Sequence, residues 1–215
     1  MPIIKSKGKV VHFAHIPKCA GGSIVKYIKS VADVYIAFYD DRYLTKPNCQ
    51  TWNKTSPQHI DGQSLARLFP ESFFDKFFTI VRSPVNKLIS AYVFQRFQEG
   101  RISHEISINQ FIKEVLVYNY LDRGWLDNHF HPQIKLLYPG ADYSIFKFES
   151  NGLHQAKNFI DETFLGYRKD VPLPITNSSL IKDRKYNFFP SLSEESKRLI
   201  YRLYEEDYEK FHYKC

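Results

Sequence analysis

Cysteine is scarce in this 215-residue chain, and it has no long apolar run. The three cysteines, Cys19, Cys49 and Cys215, cannot all pair with one another, and their spacing matches no zinc pattern. A disulfide framework is thereby excluded, and free thiols in a reducing compartment are expected. No segment reaches the ~18 apolar residues of a membrane span. Met1–Lys9 carries Lys5, Lys7 and Lys9, but His12 and His15 interrupt what would be the apolar core of a secretory signal. The expectation is a cytoplasmic chain with no membrane span. Runs of like charge are also missing. The 30 Lys and Arg against 23 Asp and Glu give a net charge of +7, spread along the chain, which suits an anionic ligand but not a nucleic-acid tail. Internal repeats and low-complexity tracts are absent as well.

What is present is ordinary globular composition: 43% apolar and 25% charged residues, with aromatics high at 16%. One domain over residues 1–215 is expected, large enough for a sizeable core. The residues Val10–Ile16 read as a short strand, and Val34–Tyr39 as another. Ser23–Val31 has apolar residues at helical spacing, with Ser23 as a plausible N-cap. Asp40–Pro57 is polar and aperiodic, a surface loop, and a short helix is predicted over Gly62–Phe69. The run Phe77–Arg82 predicts a buried strand. After it, Ser83 and Pro84 open a helix as N-cap and first residue, reaching about Gly100. Further helices are predicted over Ser107–Leu121, Leu153–Leu165 and Ser193–Phe211, and a strand over Tyr143–Phe148. Gly166–Ser191 is irregular. Alternating strands and helices imply an α/β fold, a three-layer sandwich around a mainly parallel sheet. Ligands of such sheets bind beyond the carboxyl ends of the strands.

Two segments carry candidate chemistry. The first is a strand, a tight loop with Lys18, Gly21 and Gly22, and a helix. Backbone N–H groups at a helix N-terminus cradle anions, and Gly22, Ser23 and Ile24 stand where such donors are needed. The triphosphate pattern G-x-x-x-x-G-K-[ST] places lysine after the last glycine. Here Lys18 precedes both glycines, so its ammonium flanks the bound group from the other side. The bland alternative is a strand–turn–helix with a surface lysine. In the second segment Arg82 ends a strand, and Ser83 and Ser90 lie seven residues apart on one face of the following helix. An arginine beside a helix start and a serine makes a second anion pocket; an Arg–carboxylate pair and a quietly packed serine are the alternative.

The pair His15–Ser23 (HIPKCAGGS) and Phe78–Tyr92 (FTIVRSPVNKLISAY) resembles the PAPS-dependent sulfotransferases of carbohydrate type, the heparan sulfate 2-O-sulfotransferase family. His59 with the segment before Arg82, His129–Tyr138, Leu173–Ser179 and Leu203–Tyr213 extend the resemblance over nearly the whole chain. It implies a P-loop-like phosphosulfate site and the donor 3′-phosphoadenosine 5′-phosphosulfate (PAPS), with adenosine 3′,5′-bisphosphate as product. Pro17, Lys18, Cys19, Ala20, Gly21, Gly22, Ser23 and Ile24 would hold the 5′-phosphosulfate. Lys18 would meet the bridging oxygen, where leaving-group charge grows. Arg82 and Ser90 would hold the 3′-phosphate, with Lys182 and Arg184 in a late loop above it. His59 would be the general base for an acceptor hydroxyl. His129, His131 and Gln133 would face the acceptor, a glycan or other small molecule.

The sequence departs from the family pattern at Cys19, Ala20 and Gly22, all small-for-small changes. Lys87 stands where the family often has arginine. His129 and His131 at i, i+2 are a partial metal site without a third ligand, and no metal is expected. Two rival functions remain. A P-loop-type kinase needs a lysine after the glycines and a magnesium-binding acid. A non-catalytic basic module binding an anionic polymer does not need the Lys18, Arg82, Ser90 and His59 set.

Overall fold

The computed structural model describes residues 1–31, 33–174 and 190–214. Its centre is a five-stranded sheet of order β3-β1-β2-β4-β5. The strands are β1 (Ile3–Ser6), β2 (Lys9–Ala14), β3 (Tyr35–Ala37), β4 (Lys76–Val81) and β5 (Tyr143–Lys147). β2, β4 and β5 pair in parallel, and β1 runs antiparallel to both β2 and β3. Four of the five strands therefore point the same way, as the alternation of elements requires.

β1 is absent from the expectations above. It enters as a hairpin with β2, closed by Lys7 and Gly8 at φ 47° and 79°. Two successive left-handed residues make the primed turn whose twist matches that of paired strands. β1, flanked by β2 and β3, is then buried at Ile3 and Ile4.

Side chains alternate across the sheet and build two layers upon it. On one face Phe13 stacks on Phe78 with ring centroids 4.6 Å apart, and Phe78 meets Phe159 of the helix Gly152–Phe164. That helix (α6, counted in chain order) and α1 (Gly21–Lys29) cover this face. On the other face His12 and Phe77 meet Phe74 and Tyr143, and Tyr138 closes over Phe77. The helix α2 (Gly62–Leu68) adds Leu65 to the same core.

A second core lies beside the sheet, formed by α3 (Pro84–Phe97), the 108–119 segment and two C-terminal helices. Ser83 and Pro84 open α3 as the sequence predicts, with the Ser83 side chain accepting from the Asn86 amide. The 108–119 segment is not a uniform helix. α4 (Ile108–Phe111) widens into a π turn over Ile112–Leu116 before α5 (Val117–Asn119). The predicted Ser193–Phe211 helix is two: α7 (Glu194–Leu203) and α8 (Glu205–Lys210). They break at Tyr204, whose buried hydroxyl donates to the Phe130 carbonyl at 2.7 Å. Lys182 and Arg184 lie outside the described residues.

The loop that carries His59 is tied down where α2 begins. Asp61 caps that helix, accepting from the Ser64 amide at 3.0 Å. Gly62 packs so closely that a Cβ there would lie 1.7 Å from the Leu137 carbonyl oxygen. Backbone cannot yield as a flexible side chain can, so Gly62→Ala is expected to cost about 1–3 kcal/mol of stability. Urea unfolding of the variant against the parent measures it, and an unchanged midpoint contradicts it.

Candidate active site

β2 and β4 are neighbours in parallel register, with Ala14 opposite Thr79 and the Thr79 hydroxyl donating to the Ala14 carbonyl at 2.8 Å. Their carboxyl ends open side by side. The loop before α1 leaves one and Arg82 leaves the other, so the two predicted anion-binding segments share one edge of the sheet.

The loop itself differs from expectation in how it turns. Its left-handed residues are Lys18 and Ala20, at φ 67° and 62°, and not the glycines. Ala20 is the N-cap of α1, and Ser23 sits inside the first turn with its amide donating to the Ala20 carbonyl. Among the described residues, the amides of Ala20, Gly21 and Gly22 have no hydrogen-bond partner. Left-handed residues alternating with ordinary ones turn successive N–H groups to one side, an anion-binding nest at a helix start. Gly21 is small for another reason: a Cβ there would fall 2.3 Å from the His15 ring.

Arg82 is partly buried. One guanidinium nitrogen donates to the Lys18 carbonyl at 3.2 Å, which ties β4 to the loop, and the group lies over the Phe148 ring. Its Nε is buried with no partner among the described residues. Ser90 is buried on α3, one face with Ser83. Glu149 accepts from the Ser83 amide at 2.8 Å and from the Tyr213 hydroxyl at 2.9 Å.

His59 ends a short turn, Pro57–His59, and is 8% exposed. Its Nδ1 donates to Asp127 Oδ2 at 2.6 Å. The hydrogen bond fixes the tautomer, leaving Nε2 as the basic nitrogen of the neutral ring. That Nε2 is buried and has no partner among the described residues. Ser56 holds the carboxylate from the other side, through its amide at 2.7 Å and its hydroxyl at 2.8 Å. Burial works against the charge on Asp127, but His59 and these hydrogen bonds outweigh it and hold the carboxyl well below its usual range. The His15 ring stacks on His59 with centroids 5.1 Å apart, and His129 meets it edge-on at 5.2 Å.

Asp127 sits in a strained turn. Leu126, Asp127 and Asn128 are all left-handed, at φ 45°, 55° and 58°. Asn128 pins the turn by accepting from the Gly124 amide and donating to the His59 carbonyl, each at 2.8 Å. Strain of this kind persists only where surrounding bonds over-determine it.

A sequence model described as the sulfotransferase family matches residues 2–214. The chain belongs to the sulfotransferase family. No curated protein and no solved structure gives a significant match. The protein is thus an enzyme of sulfuryl transfer, and its α/β sandwich agrees with that family's fold. No helix among the described residues is long and apolar enough to cross a membrane.

Not every residue expected in the sulfotransferase site faces an open space. Gln133 is fully buried, and all four of its hydrogen-bonding positions are taken. Its amide group donates to the Arg82 carbonyl at 2.8 Å and to Asp207. Its oxygen accepts from the Arg82 amide at 3.0 Å and from the Cys19 thiol at 3.5 Å. It therefore braces the loop before α1 and the end of β4 instead of facing an open space. Burial pushes the Cys19 thiol up to about 12, an inert group. Lys87 is buried too, donating to the His129 and His131 carbonyls at 2.9 Å each. An ammonium suits two converging carbonyls better than the planar fork of arginine.

His129 and His131 do not converge on one point. Nδ1 of His129 donates to the Leu126 carbonyl at 2.9 Å, whereas Nδ1 of His131 lies 3.1 Å from the Tyr120 carbonyl. His59, Asp127 and His129 do bring possible ligand atoms within 4.8 Å of one another. Hydrogen bonds already account for that cluster. Asp127, Ser56 and Asn128 escaped the sequence reading, since a carboxylate 68 residues from its histidine leaves no spacing signal.

Burial holds His12, His15 and His129 well below the ordinary histidine range, and the packing of His15 and His129 against the His59 ring further disfavours adding protons to that cluster. These rings stay neutral in the native protein when the unfolded chain would take up protons. Stability from them is full above about pH 6.5 and falls as pH drops below it, by up to about 1.4 kcal/mol per pH unit for each ring. Asp127 acts in a lower window, since a depressed carboxyl adds stability above about pH 3.9 and loses it below. Urea midpoints between pH 7.5 and 5 are expected to fall steadily toward acid; a flat profile contradicts the buried neutral rings.

Proposed function

We propose that this sulfotransferase moves the sulfuryl group of PAPS to a hydroxyl of a carbohydrate acceptor by in-line displacement. The observation that carries the reading is the meeting, at the ends of β2 and β4, of three groups with unspent capacity. Among the described residues these are the Ala20–Gly22 amides, the Arg82 Nε and the His59 Nε2, none of which has a partner there.

The acceptor oxygen attacks sulfur as His59 Nε2 takes its proton, and the bond from sulfur to the bridging oxygen breaks. Negative charge grows on that oxygen, where Lys18 and the loop amides stabilise it. The leaving group departs as adenosine 3′,5′-bisphosphate. Arg82 and Ser90 hold the 3′-phosphate, the group that sets PAPS apart from ordinary adenylates, and the arginine fork suits phosphate oxygens. The charged Asp127 stabilises the imidazolium that forms and keeps the ring aimed, much as a carboxylate does for a histidine base in hydrolases. No metal is required for these steps.

A carbohydrate acceptor is supported by the surface beside His59. A polar cavity of about 490 Å³ is lined by Asn53, Lys54, Thr55, Arg123 and Asn128. A neighbouring hollow shares Asn53 and Lys54 and adds Trp52, a residue that is 54% exposed. Hydrogen-bonding groups around an open aromatic face suit a sugar.

A transfer assay with radiolabelled PAPS against glycans, small alcohols, phenols and peptides tests the reaction and finds the acceptor. Arg82→Ala is expected to weaken adenosine 3′,5′-bisphosphate binding by roughly tenfold or more in calorimetry. His59→Ala should lower turnover by about 10²–10⁴-fold and leave that binding intact. Asp127→Asn should also lower kcat with little change in the KM for PAPS. Full turnover by His59→Ala would reject the base assignment, and no binding of the bisphosphate by the parent would reject the donor.

A further inference from the structure

The Lys18 ammonium lies 3.9 Å from the centroid of the Phe94 ring. Phe94 follows Ser90 by four residues on α3, so it extends the face that Ser83 and Ser90 share. Behind it the His129 ring stacks in parallel, with centroids 5.0 Å apart and planes 10° apart. His129 is fixed in turn by its bond to the Leu126 carbonyl and by its edge against His59.

We propose that Phe94 is the positioning residue for Lys18, a ring wall that holds the ammonium facing the phosphosulfate loop through the transfer step. The inference rests on the reading of Lys18 as the leaving-group partner. A cation is attracted to the negative face of an aromatic ring, most strongly where water is excluded. Such a contact engages one side of an ammonium, whose other N–H groups point away from the ring. Lysine is among the side chains that lose most rotamer freedom on being ordered, so a wall already in place spares the donor complex that loss. The stacked His129 keeps the ring from turning edge-on. Burial keeps that imidazole neutral, so it does not repel the ammonium across the ring.

Replacing Phe94 with phenylalanines bearing one, two and three ring fluorines drains the ring face of negative charge at nearly constant shape. With PAPS and the acceptor found in the panel, kcat is expected to fall stepwise, by about tenfold at three fluorines, with the KM for PAPS within about twofold. A structural role alone would not give a graded slope. In the resting protein, the Lys18 side-chain protons should be shifted upfield by the ring current, and the shift should vanish in Phe94→Leu. These proton shifts need no acceptor. A flat kcat series, or Lys18 protons at their ordinary position, overturns the proposal. Lys18→Ala run alongside separates the two claims. Full turnover there rejects the leaving-group role and Phe94 with it. Lost turnover with a flat fluorine series rejects the part of Phe94 alone.

Discussion

The Gln133 side chain is where three distant parts of the chain meet. Its amide pairs with both backbone groups of Arg82, as a neighbouring strand would, and its oxygen also receives the Cys19 thiol. Asp207 of α8 accepts from the Gln133 and Ile134 amides, at 2.8 and 2.9 Å, and so presents the residue to the sheet. Each buried bond is worth about 1 kcal/mol net, but a partner left unmet costs more. The arrangement therefore holds together or fails as a unit. The loop before α1, the end of β4 and the C-terminal helix are set by one amide.

Of the ten non-glycine residues at positive φ among the described residues, five belong to the candidate site: Lys18, Ala20, Leu126, Asp127 and Asn128. Such backbone costs roughly 1–2 kcal/mol per residue. Two loops hold all five. One presents the amides of the α1 N-terminus, and the other carries the carboxylate on His59. Part of the strain lies where groups must be aimed, and the packed Phe13, Phe78 and Phe159 rings of the core offset it. Glycine would relieve these positions but would give back the freedom that the bonds from Asn128 and Arg82 remove.

Much of this was legible in the residues. β2, β4 and β5 are apolar runs, and Ser83-Pro84 starts a helix by rules that act within a few residues. The motif pair placed the loop and Arg82 at adjacent strand ends. The hairpin strand β1 was missed although its signal is local: Ile3 and Ile4, then Lys7-Gly8, then Val10 and Val11. Other features left no local trace. Asp127 reaches His59 only through the tertiary fold, and its turn contains no glycine at the left-handed positions that would announce it. Gln133 was expected beside an acceptor from the family resemblance, which carries no sign of its burial. The break at Tyr204 likewise follows from a hydroxyl reaching Phe130, 74 residues away.

Cys19 places a buried thiol inside the loop before α1. Oxidants and electrophiles attack the thiolate, and a thiol pushed up to about 12 is ionised at pH 7 only to roughly one part in 10⁵. Its sulfur is also sealed beneath Gln133, whereas Cys49 stands in the open. Oxidants in solvent therefore meet Cys49 on its surface loop before they meet Cys19, and the loop before α1 is no redox fuse.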